Sequence, residues 1–208
     1  MNKTSGRLIS IEGGEGAGKS TVLAAIKDRL EQRGHTVLVT REPGGTVAGE
    51  QIRNLLLAPG QSICARAELL MMFASRTQLV HELVQPAMAA GKMVISDRFT
   101  DASFAYQGGG RGLPVSEIAW LETHFVGIEP DLTFLLDVDV EQGLQRAQSR
   151  GQGFDRIESE RTEFFHAVRA AYRQRAAQAP DRIRIVDAGQ TPDAVRAQVL
   201  AILDEWLR

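Results

Sequence analysis

Two hydrophobic rhythms alternate along the chain. Short apolar runs at Leu8–Glu12, Thr36–Thr40, Met93–Asp97, Leu132–Asp137 and Ile183–Asp187 are nearly continuous, the pattern of strands covered on both faces. Between them, residues 19–33, 46–57, 66–90, 101–107, 115–126, 140–150, 160–178 and 192–207 carry helical spacing. Strand, helix and strand repeating in this way predict a parallel sheet of about five strands in a doubly wound α/β fold. Helix punctuation agrees. Thr191 is a cap followed by Pro192 at the first helical position, and Gly34 and Gly91 follow helices where a left-handed residue is needed. No repeat, low-complexity linker or domain boundary is visible, so residues 1–208 read as one domain. Two glycine-rich interruptions, Gln107–Gly112 and Arg150–Phe154, are candidates for mobile segments over a site.

Composition narrows the classes. At 208 residues the chain suits one domain whose core needs no disulfide or metal staple. Its 24 Lys+Arg against 26 Asp+Glu give a net charge of −2. That balance argues against a dedicated nucleic-acid binder, whose affinity rests on a basic excess. Cys64 is the only cysteine, which excludes an intrachain disulfide, and its expected state is a packed thiol. Lys3 and Arg7 precede an apolar run too short for a secretion signal. No stretch approaches the ~20 apolar residues that span a bilayer. A cytoplasmic protein without membrane partners is expected.

The strongest chemical signal is Gly13-Gly14-Glu15-Gly16-Ala17-Gly18-Lys19-Ser20, followed by Thr21. It fits the G-x-x-x-x-G-K-[ST] pattern, and it sits between a predicted strand and a predicted helix. Glycines let successive backbone N–H groups point at phosphate oxygens, and the helix N-terminus adds positive potential. Lys19 would neutralise β- and γ-phosphates, and the Ser20 hydroxyl would ligate Mg²⁺. This chemistry binds a nucleoside triphosphate. A guanine-reading Asn-Lys-x-Asp is missing after Leu132–Asp137, where the chain reads Val138-Asp139-Val140-Glu141, which weakens a GTPase reading.

Further polar motifs follow the other strands, at the carboxyl edge where open α/β sheets bind ligands. Arg41-Glu42-Pro43-Gly44-Gly45-Thr46 follows the second strand. Asp97-Arg98-Phe99 ends the third, with Ser103 through Arg111 beyond it. Arg146, Arg150 and Asp155-Arg156-Ile157-Glu158 follow the fourth. Phosphoryl transfer leaves little covalent chemistry to the protein, which positions the groups and neutralises charge. Arginine suits this, because its rigid fork grips phosphate bidentately.

Taken in order over nearly the whole chain, these motifs resemble the thymidylate kinase family, specifically its bacterial type. The resemblance implies a P-loop NTPase three-layer fold with a short lid at about 149–158. It implies Mg²⁺-dependent transfer of the γ-phosphate of ATP to dTMP, giving ADP and dTDP for DNA precursor synthesis, and a homodimer. Lys19, Arg41 and Arg98 would handle the phosphates, and Asp97 would organise the metal. Glu15 would lie near the acceptor's 3′-hydroxyl or the metal. Eukaryotic relatives carry an arginine at the P-loop position of Gly16. Without one, this chain resembles the class that takes its catalytic arginine from the lid, with Arg150 first, Arg156 supporting and Arg146 behind. Asp155 and Glu158 would fix the lid or touch the metal.

For the base pocket, Phe73 and Arg76 lie one turn apart on a predicted helix. The family's aromatic position falls on Met72, so both Met72 and Phe73 stand as candidates beside Arg76. Arg53, Ser103 and Gln107 match the same pocket. Tyr106 matches a residue that crowds a ribose 2′-hydroxyl, and Pro43 one that follows a cis peptide bond. The four histidines show no metal-ligand spacing, and Trp120 and Trp206 read as core or interface. Rival readings are another nucleoside monophosphate kinase, a deoxynucleoside kinase, whose required carboxylate base Glu42 could be mistaken for, and a nucleotide-binding regulator.

Overall fold

The computed structural model describes residues 6–149 and 155–208. Its sheet has the strands β1 (Leu8–Glu12), β2 (Val37–Arg41), β3 (Met93–Asp97), β4 (Leu132–Asp137) and β5 (Ile183–Asp187). They are all parallel, in the order β2-β3-β1-β4-β5. The apolar runs are continuous because β1, β3 and β4 are buried almost throughout. Between β1 and β4 the Ser10 and Thr133 hydroxyls meet at 2.7 Å, so these two buried polar side chains satisfy each other.

Helices α1 (Lys19–Gln32) and α9 (Pro192–Trp206) cover one face, interleaving Val22, Ile26 and Leu30 with Val195, Val199 and Leu203 over Ile9, Ile11 and Phe134. Thr191 caps α9 by accepting from the Ala194 N–H. The other face carries α2 (Val47–Leu57), α3 (Ala65–Leu79), a π-helical turn Val80–Val84, α4 (Gln85–Ala89), α5 (Thr100–Ser103), a π-helical stretch Phe104–Gly110 and α6 (Val115–Leu121). Helices α7 (Val140–Gln148) and α8 (Thr162–Gln178) follow β4. Phe165, Val168 and Tyr172 of α8 close a third apolar cluster over Leu135 and Ile183.

Three expectations are corrected. The segment expected as one helix over 66–90 widens into a π turn just before Pro86, whose missing N–H and bulky ring disfavour regular α geometry there. The Gln107–Gly112 segment is packed helix up to Gly110. A Cβ on Gly109 would lie 2.6 Å from the Ala171 Cβ, and one on Gly110 2.4 Å from the Phe164 ring. Those glycines serve close approach to α8. Cys64 is exposed, because it precedes α3 at its N-terminus, outside the layers. The second glycine-rich segment, with Arg150, lies outside the described residues.

Candidate active site

Strand order reverses at β1, which has β3 on one side and β4 on the other, and ligands of open α/β sheets bind at such a point. The Gly13–Ser20 loop leaves β1 there and enters α1. Gly13, Gly16 and Gly18 take φ values of 141°, 69° and 88°, a region that side-chain-bearing residues rarely adopt. A Cβ on Gly16 would also stand 2.0 Å from the Gly143 carbonyl oxygen of α7. The Lys19 Nζ donates to the carbonyls of Gly13 (3.3 Å) and Gly14 (3.1 Å). Burial, aided by Arg98, pushes its pKa below the ordinary range, against Glu15, Asp97 and Glu12. Ser20 and Thr21 lie exposed in the first turn of α1.

Beside this loop opens a cleft of about 290 Å³. It is lined by Glu15, Lys19, Arg41, Pro43, Arg53, Met72, Arg76, Asp97, Arg98, Ser103, Tyr106, Gln107 and Glu158, with Glu42, Leu57, Ala102, Asp155 and Ile157. The motifs read after β1, β2 and β3 therefore converge on one space.

Arg76 forms the floor. Its Nε lies 2.5 Å from Glu42 Oε2, its Nη1 donates to Ser103 Oγ at 3.1 Å and its Nη2 to the Phe99 carbonyl at 3.1 Å. Burial pushes the Glu42 carboxyl up to about 7 against the pull of Arg76. Phe73 does not line the cleft. It is buried in the core, with the Arg76 guanidinium 4.7 Å over its ring, so Met72 is the helix residue on the cleft wall. Spacing explains this, since Glu68, Met72 and Arg76 recur every four residues and share one face of α3. The Glu42–Pro43 peptide is cis, and Arg53 Nη1 donates to the Pro43 carbonyl at 2.9 Å.

Among the described residues, Arg98 is the non-glycine one with positive φ, 72°. Its Nη2 donates to Glu15 Oε1 at 2.9 Å, and its Nη1 donates to the Gly13 carbonyl at 2.9 Å and to the Tyr172 hydroxyl at 3.3 Å. Tyr106 places its ring 4.8 Å from the guanidinium and donates its hydroxyl to the same Glu15 oxygen at 2.9 Å. Arg41 is half exposed and held by both oxygens of Glu50, at 3.2 and 3.0 Å. Asp97 Oδ1 is buried and finds no hydrogen-bond partner among the described residues.

The lid side brings corrections. Arg156 turns away from the cleft, donating to the Leu56 carbonyl and to Glu68 Oε2, both at 2.6 Å. It is anchored as structure. Glu158 lies on the cleft wall and accepts from the Asp155 N–H at 3.2 Å. Arg146 binds the carbonyls of Ala188 and Gly189 at 2.8 and 3.4 Å. Sequence reasoning missed Glu68, a buried hub. Burial opposes its ionisation, but Arg111, Gln107 and Arg156 hold its carboxyl below the ordinary range. It also missed Glu12, a carboxylate ending an apolar strand, which was the available signal. Among the described residues no group of three or more His, Cys, Asp or Glu could hold a metal ion by itself. No helix there is long and apolar enough to cross a membrane.

A triphosphate loop at the reversal of a parallel sheet, opening on an arginine-lined cleft, defines a P-loop kinase of the nucleoside monophosphate type. Residues 11–199 match the family model described as thymidylate kinase. The chain is 52% identical to the thymidylate kinase of Chromohalobacter salexigens over 98% of both chains, and 50% identical to that of Neisseria gonorrhoeae over 95% of this chain and 96% of the relative. The crystal structure of the Ehrlichia chaffeensis thymidylate kinase superposes with a TM-score of 0.79 at 29% identity, covering 96% of this chain and 99% of that one. The chain belongs to the thymidylate kinase family.

Proposed function

We propose that ATP lies along the Gly13–Thr21 loop and dTMP in the adjoining cleft, so that the γ-phosphate of ATP passes to dTMP to give dTDP and ADP. The convergence of Lys19, Arg41 and Arg98 on one cleft beside the loop carries this reading. An acceptor phosphate oxygen is already ionised at neutral pH, so in-line attack needs no strong base. Arg98 and Arg41 hold the acceptor's phosphate, Lys19 balances charge on the donor, and Arg150 from the lid neutralises the group in flight. Arg76, Met72, Ser103, Gln107 and Arg53 enclose the base and sugar, while Glu15 and Tyr106 face the sugar edge.

Mg²⁺ fits these residues, because Asp97 Oδ1 has an oxygen to give and the Ser20 hydroxyl lies exposed beside the phosphate loop. Asp97 and Ser20 would hold it with the donor's phosphates, and Glu158 lines the same cleft as Asp97. When bound it draws charge from the β- and γ-oxygens. A homodimer is supported by an apolar surface of Leu70 on α3 with Val115 and Trp120 on α6 and the neighbouring Phe125, each more than half exposed. A cytoplasmic location suits an enzyme fed by ATP. A coupled assay offering dTMP, dUMP, UMP and AMP tests the reading. dTMP is expected to be turned over best, and preference for UMP or AMP would defeat the assignment.

A further inference from the structure

Glu12 is fully buried at the end of β1, and no step above uses it. Its Oε1 accepts the Phe99 N–H at 2.6 Å, and its Oε2 accepts the Tyr172 hydroxyl at 2.7 Å. Both partners adjoin Arg98. Phe99 is the next residue in the chain, and the Tyr172 oxygen receives Arg98 Nη1 at 3.3 Å. The Arg98 backbone is pinned on either side as well: its N–H donates to the Ile11 carbonyl at 3.0 Å, and its own carbonyl accepts the Ser96 hydroxyl at 2.6 Å.

A non-glycine residue at φ 72° is in a sparsely populated conformation, which persists only where the surroundings over-determine it. Here one carboxyl ties together the strand before the phosphate loop, the residue after Arg98 and helix α8. We propose that Glu12 is a positioning residue, holding Arg98 in its strained conformation and aiming its guanidinium at the acceptor's phosphate. It touches neither substrate, and it acts through Phe99 N–H and the Tyr172 hydroxyl.

The environment favours a neutral carboxyl in this role. Burial, with Asp101 nearby, pushes the Glu12 pKa up to about 8, against Tyr172, Arg98 and the Phe99 N–H. Lys19 is the other charged group that senses it. A glutamine has the matching shape: its amide oxygen can accept from Phe99, and its amide nitrogen can bond the Tyr172 oxygen as donor, with the direction reversed as the proton of a neutral carboxyl would reverse it.

The inference rests on Arg98 as the acceptor-phosphate clamp, so the test includes it. Steady-state KM and kcat for dTMP and for ATP are measured for Glu12→Ala, Glu12→Gln, Tyr172→Phe and Arg98→Ala. Losing one or two such hydrogen bonds should raise KM for dTMP by about tenfold in Glu12→Ala and by about threefold in Tyr172→Phe. KM for ATP should stay within about twofold, and Glu12→Gln should keep the KM for dTMP of the parent enzyme. If Glu12→Ala does not fold, Tyr172→Phe and Glu12→Gln decide alone. An unchanged KM for dTMP in Tyr172→Phe, or equal rises in both KM values, overturns the inference, as does a Glu12→Gln enzyme that has lost dTMP affinity. Should Arg98→Ala itself leave KM for dTMP unchanged, the reading of Arg98 has failed instead.

Discussion

Replacing Glu42 by leucine tests whether the cleft floor is an organised ion pair. The Arg76 guanidinium is 2% exposed and the Glu42 side chain 3% exposed, with Nε 2.5 Å from Oε2. Removing the carboxyl leaves Arg76 with the Ser103 hydroxyl, the Phe99 carbonyl and the Phe73 ring, and no counter-charge in contact. Stranding a buried charge costs about 3–5 kcal/mol, a large share of the 5–15 kcal/mol stability usual for a domain. For a chain of this size that corresponds to a loss of about 10 °C in Tm. Glu42→Gln keeps an acceptor within reach of Nε and should cost less than about 2 kcal/mol. The decisive variant is the double replacement, Glu42→Leu with Arg76→Leu. With neither charge left to desolvate, it should recover most of the lost stability while dTMP no longer raises Tm. Thermal unfolding with and without dTMP reads both quantities. A double variant as unstable as Glu42→Leu alone would show that the cost lies in packing and refute the electrostatic argument.

Other outcomes follow from the same geometry. Arg150→Ala should lower kcat by about 10²–10⁵ with KM for dTMP nearly unchanged. Arg156→Ala, which releases Leu56 and Glu68, should cost about 2–3 kcal/mol in a denaturation curve and spare kcat far more. Gly109→Val should destabilise by about 1–3 kcal/mol or more in the same measurement, because its Cβ must enter space held by Ala167 and Ala171. Glu12 makes stability depend on pH: its folded pKa of about 8 lies above the ordinary 4.5, so between those values the unfolded chain releases a proton that the native one keeps. Stability from this group is complete below pH 4.5 and falls as pH rises toward 8, by at most about 5 kcal/mol. Glu12→Gln should therefore gain Tm relative to the parent progressively from pH 5 to 8, and a constant difference would contradict the assignment.

The central strands β1, β3 and β4 were legible because burial on both faces leaves unbroken apolar runs, whereas the edge strands β2 and β5 are only partly buried; four of the five strands begin and end where the runs were read. The second is displaced by one residue, although Thr36 still accepts from Met93 N–H, so the boundary and not the pairing differs. The phosphate loop and the arginines at the ends of β2 and β3 were legible because each stands at or just past a strand's carboxyl end, which fixes its edge of the sheet. What escaped depends on side-chain direction far along the chain. Nothing near Arg156 reveals that Glu68, 88 positions earlier, captures it. Likewise the glycines at 109 and 110 signal freedom until α8 is seen to fill the space beside them. The choice between Met72 and Phe73 was recoverable from the four-residue recurrence with Glu68 and Arg76.

The contact between Gly16 and Gly143 restricts what the phosphate loop can accept. A bulkier residue at 16 collides with a main-chain oxygen, which cannot swing aside as a flexible side chain would. Any side chain at this position, an arginine included, therefore disturbs the loop as long as Gly143 stays where it is. Helix α7 would first have to retreat, so a new catalytic group in this loop depends on a prior change in a helix more than a hundred positions later in the chain.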